Sequence, residues 1–271
     1  PDCLSVLGIA REVAAITKSK IRAHSVERRA YSKNLSAKRY PLNATTLKIE
    51  IENKKDCPLY TARIIRNVKV GPSPAWLQKR LELIGCRSVN NIVDITNYTL
   101  FELGEPLHAF DLDKLSQNAI LVRRAKTNEK ITTINGEQKI LNPDILVIAD
   151  GTRPIAIAGI IGGKDTEVTE GTKKILLEAA IFNPIIVRRA RQALGIQSES
   201  AYRFERGIDL EIVENASLRA AELIEELAYG KCVLVKDSGL PKIKKKTINL
   251  EVLPVNKILG VNITVAKIKS I

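Results

Sequence analysis

The chain has 271 residues and 45% hydrophobic content, enough for a packed core and too much for a disordered segment. Lys and Arg number 43 against 30 Asp and Glu, a net charge of +13 that favours polyanionic partners such as nucleic acid or marks the solvated basic surface of an ordinary enzyme. No apolar run nears the roughly 20 residues of a membrane span, and Cys3, Cys57, Cys86 and Cys232 lack zinc or redox spacing, so the sequence predicts a soluble chain with reduced thiols and no metal site.

The sequence opens at Pro1 with neither a basic leader nor a cleavage site, so no signal peptide is expected. Residues 2–17 place Leu4, Leu7, Ala10, Val13 and Ala14 on one helical face, with Asp2 available as N-cap. Residues 18–39 hold eight basic residues, one acid (Glu27) and His24, without periodicity, the pattern of a linker or exposed arm. LKIEIEN from Leu47 alternates with period two and YTARIIRNVKV from Tyr60 is rich in β-branched residues, which predicts two strands around a polar turn at residues 53–58.

A helix follows with Ser73 as N-cap, Pro74 at its first position, Leu77, Leu81 and Ile84 inward, and Gly85 past its end. Residues 120–150 read as three strands, with Asn135 and Gly136 supplying two positive-φ residues to a tight hairpin. PIAIAGIIGG is a glycine-rich strand and loop, and KKILLEAAIF another strand. A helix is predicted from Asn183, with Pro184 at its first position, to Gly195, carrying Arg188, Arg189 and Arg191 on its polar side. Another spans about 211–228, burying Ala216, Ala220, Leu223, Ile224 and Leu227. PKIKKK then forms a connector before a short strand at residues 247–252.

Few residues suit chemistry. His24 and His108 are the two histidines, and a lone histidine beside apolar neighbours, as His108 is in GEPLHAFD, is more often structural than catalytic. The loop AGIIGGKDTEV lacks the glycine and the Ser or Thr of a phosphate-cradling loop, at Ala158 and Asp165; its glycines suit positive φ or close approach to a ligand. Glu178 is an acid inside an apolar strand, which must face solvent on a wet sheet surface, find a donor, or wait for a ligand.

The runs DCLSVLGIAREVA, RSVNNIVDITNYTLFELGEPLHAFDLDKL, AGIIGGKDTEV, LLEAAIFNP and SESAYRFERGID, in this order, closely resemble the β subunit of bacterial-type phenylalanyl-tRNA synthetases. The resemblance implies an α+β fold: a mixed-sheet editing domain at residues 46–235, flanked by the second half of a small α/β domain at 1–45 and the start of another at 236–271. It implies hydrolysis of tyrosine wrongly attached to the phenylalanine tRNA, with Glu178 at the position that recognises the phenolic hydroxyl. His108, Thr96, Asn97, Gly162 and Ser198 match positions lining that pocket, and Ser200 stands where the family commonly has a small Ala. Arg188, Arg189 and Arg191 are expected at tRNA phosphates, whereas Arg203 and Arg206 serve either phosphates or interfaces.

For the whole enzyme the family implies ATP, magnesium, tRNA and an α subunit in an α2β2 assembly, with no membrane and a cytoplasmic or plastid-stroma location. Two other readings stand beside it. One is an editing-deficient structural and tRNA-binding fragment, favoured by Ser200; the other, a free-standing nucleic-acid-binding module, rests on charge alone.

Overall fold

The computed structural model describes residues 2–21, 47–239 and 247–270; the arm around His24 and the connector PKIKKK lie outside them. In chain order the strands are β1 (Lys48–Ile51), β2 (Leu59–Arg66), β3 (Leu107–Asp111), β4 (Ala119–Arg124), β5 (Glu129–Thr132), β6 (Gln138–Leu141), β7 (Leu146–Ala149), β8 (Pro154–Ile157), β9 (Ile161–Gly162), β10 (Lys174–Ile181) and β11 (Lys231–Asp237). The helices are α1 (Val6–Thr17), α2 (Ala75–Leu83), α3 (Asn91–Leu103), α4 (Pro184–Leu194), α5 (Glu199–Phe204), α6 (Ile212–Ala228), α7 (Val252–Leu259) and α8 (Val265–Ser270). The fold is α+β, as expected, and the largest sheet is mixed.

Two sheets face each other. The antiparallel sheet has the order β11-β2-β10-β3, and β10 is its spine, pairing along its whole length with β2 and over five residues with β3. The other has the order β1-β4-β7-β8-β9, in which β1 and β4 are parallel and the rest antiparallel. Side chains alternate across β10, so Leu176 and Ala180 join Tyr60, Ala62, Ile64 and Phe110 in a core shared with Val122, Val147, Ile148 and Ile157 of the facing sheet. Ile175, Leu177 and Ala179 point the other way, into a second core closed by α2, α3 and α6 through Leu77, Leu81, Ile92, Ile95, Ala216, Ala220 and Ile224. A strand covered on both faces reads as a nearly continuous apolar run, which is why KILLEAAI carries so few polar residues.

Several expectations are corrected. Helix α1 is capped by Ser5, whose hydroxyl accepts from Gly8 N at 3.0 Å, and Asp2–Leu4 form a separate 3-10 turn; Val13 is exposed. The strands β1 and β2 do not pair across their turn; β1 instead finds β4, some 70 residues on, by a pairing that no local pattern reveals. Pro74, not Ser73, occupies the N-cap position of α2, without a side-chain cap bond, and Ile84 is exposed beyond its end. Four strands, not three, occupy 119–149, and of the Asn135–Gly136 pair only Gly136 has positive φ (+86°). Thr133 N–H donates to the Glu137 carbonyl at 2.9 Å, so this is a three-residue loop with glycine in its left-handed position.

Residues 247–250 form no strand; helix α7 starts at Val252, with Pro254 in the first turn, where its missing N–H costs nothing, whereas in a ladder it would remove a bond. Helix α3, strands β3 and β11, and the short α5 were not anticipated. Helix α3 is fixed at its start by Asn90, which accepts from Ile92 N and Val93 N, and at its end by Gly104 at φ +89°.

The connection into α3 hangs on Asp94, fully buried, which accepts from Ser73 Oγ (2.6 Å), Ser88 Oγ (2.5 Å) and Val89 N (2.8 Å). Asp94→Ala strands these three donors and is expected to cost about 3 kcal/mol in denaturant unfolding; a loss below about 0.5 kcal/mol would show that water replaces the carboxylate.

Candidate functional site

The register of β3 on β10 sets Glu178 directly opposite His108, both on the face that looks toward the five-stranded sheet. Glu178 is only 6% exposed, and its Oε2 is buried without a hydrogen-bond partner. Burial pushes its carboxyl up to about 8, while the Tyr60 phenol, close by on β2 but outside hydrogen-bond geometry, pulls weakly the other way. Part of His108 is exposed, yet its Nε2 is shut away from solvent with no partner, and this burial lowers the imidazole to about 4. The ring stands edge-on to Phe110 at a centroid distance of 4.5 Å. At neutral pH the pair is therefore an uncharged imidazole facing a mostly protonated acid, which can donate and accept at once.

Strand β9 closes over the imidazole. A Cβ on Gly162 would lie 2.4 Å from His108 Cε1 and 2.7 Å from Nε2, so only glycine lets the backbone pass there. Positive φ in this loop belongs to Gly159 (+69°), where Phe182 and Phe204 leave no room either. Ser198 caps α5 by accepting from Ala201 N at 3.0 Å and donates to the Ile160 carbonyl at 2.7 Å, which ties the glycine loop to α5. Ser200 is half-buried in the first turn of that helix.

The remaining expected residues are spread more widely. Thr96 and Asn97 ride on α3, which packs through Ile92 and Ile95 on the helical side of the antiparallel sheet; the Thr96 hydroxyl donates to the Val93 carbonyl at 2.7 Å. Arg188 and Arg189 are exposed on α4, whereas Arg191 is half-buried and donates to Glu205 at 2.9 Å. Arg203 is buried, gives two hydrogen bonds to the Leu4 carbonyl (2.8 and 3.1 Å) and two to Glu199, one to its carbonyl (3.1 Å) and one to its carboxylate (2.6 Å), and lies 4.9 Å from the Phe101 ring centroid, so its donors are spent holding the N-terminal segment and its own helix. Arg206 donates to Glu205 and to the Tyr202 carbonyl and covers the Tyr202 ring.

Three residues that sequence reasoning missed surround Glu178. Tyr60 is fully buried and its hydroxyl has no partner. Glu105 is also fully buried, both its oxygens are unpaired, and burial raises it well above the carboxylate range, with the nearby Ala180 N–H opposing and Glu178 adding to the rise. Cys57 donates to the Leu59 carbonyl at 3.4 Å, and burial, then Glu178, push its thiol upward. A signal existed for two of them: a tyrosine on the inward face of an apolar strand, and an acid wedged between Gly104 and Pro106. Neither Ser198 nor Cys57 is activated as a nucleophile, so the chemistry open to this site is recognition of a polar group and placement of water. Among the described residues no group of three or more His, Cys, Asp or Glu is placed to hold a metal ion. A cleft of about 120 Å³ opens nearby between β5, β8 and Gly163, lined by Lys130, Ile131, Arg153 and Ile155 among others; Glu178 and His108 are not in its lining.

Residues 56–229 match the family profile described as the B3/4 domain. Over its whole length the chain is 43% identical to the phenylalanine–tRNA ligase β subunit of Carboxydothermus hydrogenoformans and 44% to that of Geobacter sulfurreducens, covering 33% of each. A third such β subunit, from Fusobacterium nucleatum subsp. nucleatum, is 44% identical across 97% of this chain and 32% of its own. The chain thus spans about a third of the length of these relatives. A solved N-terminal fragment of the Pyrococcus horikoshii phenylalanyl-tRNA synthetase β subunit aligns with 85% of this chain and 65% of its own, at TM-score 0.48 and 15% identity.

The buried pair makes stability depend on pH in a defined sense. Glu178 titrates near 4.5 when unfolded and about 8 when folded, so the folded state holds an extra proton between those values and its stability falls as pH rises through them. His108 acts oppositely, its contribution being lost as pH falls from 6.5 toward 4. Glu178→Gln is expected to melt with the parent near pH 4.5 and roughly 5 °C above it at pH 8.5; the same difference at both values would show an ordinary carboxyl. Gly162→Ala should cost about 1–3 kcal/mol and move the His108 ring resonances in NMR spectra, because the added methyl occupies the ring's position.

Proposed function

Because the chain belongs to the B3/4 domain family, in the line carried by phenylalanine–tRNA ligase β subunits, we propose that residues 46–235 form a hydrolytic sieve for tyrosine esterified to the phenylalanine tRNA. The observation that carries this reading is the unpaired, buried carboxyl of Glu178 set against His108 beneath Gly162. Residues 1–45 and 236–271 are parts of flanking small domains. The whole protein joins phenylalanine to its tRNA with an α subunit in an α2β2 assembly, in the cytoplasm or a plastid stroma, and uses ATP and magnesium at a synthetic site outside this chain.

A synthetic pocket shaped for phenylalanine is apolar and rejects an analogue that only adds a hydroxyl by about a hundredfold. The reverse selection is stronger. A site with a buried polar group rejects the ligand that leaves this group unpaired, so phenylalanine in the Glu178 pocket meets a carboxyl it cannot satisfy, while the tyrosine phenol donates to it. The aminoacyl ester is activated, and a water held near His108, with hydrogen bonds to the developing oxyanion, suffices for hydrolysis without a covalent enzyme intermediate. His108 serves as a neutral donor or acceptor that places this water or the terminal ribose. Ser198 fixes the glycine loop against the pocket and Ser200 lies beside it on α5, whereas Thr96 and Asn97 sit on the far, helical side of the antiparallel sheet and take no part in this reading.

Exposed Arg188 and Arg189 on α4 are offered for tRNA phosphates; Arg191 contributes less, being neutralised by Glu205. Glu178→Ala, in the intact ligase, is expected to lower hydrolysis of the tyrosyl ester of the phenylalanine tRNA by at least about tenfold without lowering that of the phenylalanyl ester, so that discrimination between the two collapses. If the parent enzyme is no faster than spontaneous ester loss, the sieve is wrong, and this region is a structural and tRNA-positioning part in which Ser200 stands in the pocket.

A further inference from the structure

A phenolic hydroxyl carries one donor and two acceptor lone pairs. Glu178, on accepting the phenol's proton, leaves the phenolic oxygen buried and in want of a donor, which would weaken the selection just described. The structure holds a side chain suited to that task. Glu105 precedes β3 by two residues, is fully buried, and presents two carboxyl oxygens with no hydrogen-bond partner. Its carboxyl approaches the backbone N–H of Ala180, two residues beyond Glu178 on β10, and is in electrostatic contact with Glu178 itself. A fully buried carboxyl without a side-chain partner is expensive for a fold, and the nearby Ala180 N–H offsets that cost only in part.

We infer that Glu105 is a second specificity-determining residue of the pocket, a neutral carboxyl whose O–H donates to the phenolic oxygen while Glu178 accepts the phenol's proton. The inference rests on the sieve reading of Glu178 and extends the recognised group from a hydroxyl that donates to one that must donate and accept together. Burial disfavours the ionised form of Glu105 and the neighbouring Glu178 adds to this, so Glu105 keeps its proton and can donate. The reaction itself is unaltered: water adds to the ester carbonyl, the ribose oxygen leaves with a proton, and Glu105 ends with the proton it began with.

The test uses the intact ligase, with hydrolysis of the tyrosyl and phenylalanyl esters of the phenylalanine tRNA and thermal unfolding as readouts. Glu105→Leu keeps the volume and removes the donor, so tyrosyl hydrolysis is expected to fall roughly tenfold with phenylalanyl hydrolysis unmoved and Tm unchanged or higher. Glu105→Gln, whose amide N–H also donates, is expected to recover most of that rate. Unchanged tyrosyl hydrolysis in Glu105→Leu overturns the inference. So does equal loss of rate and Tm in both variants, which marks a packing role, and so does loss in Tyr60→Phe with none in Glu105→Leu, which makes the Tyr60 phenol the donor. Should the parent enzyme prove not to hydrolyse the tyrosyl ester, the sieve reading fails by itself, and the cycle of Glu105→Leu, Glu178→Gln and the double variant decides the rest: additive Tm shifts separate the two carboxyls, and a combined shift unlike the sum keeps them on one pocket floor.

Discussion

The burial of one carboxyl in a strand covered on both faces governs the architecture around it. Strand β10 is hydrogen-bonded on both sides and packed between a helical layer and a second sheet, so Glu178 can neither swing to water nor drag its backbone aside. A charge there would face a desolvation cost far above what one weak contact returns. The acid therefore stays protonated, the histidine opposite stays neutral, and only glycine fits where β9 crosses the ring.

Precision at the site depends on links that are themselves remote from it. Ser198 couples the cap of α5 to the Ile160 carbonyl, two residues before the glycine that covers His108, so the glycine loop cannot lift without uncapping a helix. Asp94 collects three donors and fixes the start of α3, and Arg203 clamps the Leu4 carbonyl while covering Phe101 of the same helix. These polar contacts are local, but each joins elements that the hydrophobic cores alone would let slide.

The sequence exposed some of this and hid the rest for physical reasons. Helix α4 was legible because Asn183, Pro184 and Gly195 mark its ends by backbone chemistry alone, and β10 because a doubly buried strand must be apolar. Helix α3 was not, because its run NIVDITNYT is rich in β-branched and Asx residues of low helical propensity and is held by its cap and its packing. The parallel pairing of β1 with β4 is non-local, and β11 belongs to a sheet whose other strands lie at least 50 residues earlier. Glu178 and His108 entered through a family resemblance; their adjacency across two strands is a matter of register, which a single sequence does not state. Tyr60 and Glu105 carry only faint local signals and Cys57 none, and it is their convergence on one carboxyl that sets them apart.

That convergence bears on how the proposed pocket discriminates. Well inside the window from about 4 to about 8, neither His108 nor Glu178 carries its charge, so the pair is electrically neutral at neutral pH. A neutral, desolvated pocket rejects charged side chains by the cost of stripping their water, and rejects a plain aromatic ring by leaving its own acid unpaired. A phenol passes both filters. A permanently ionised carboxylate in the same place would accept from the phenol but would itself have to be desolvated each time the pocket closed, with no donor returned to the phenolic oxygen. Keeping the acids protonated thus turns burial, which is costly for the fold, into the basis of selection.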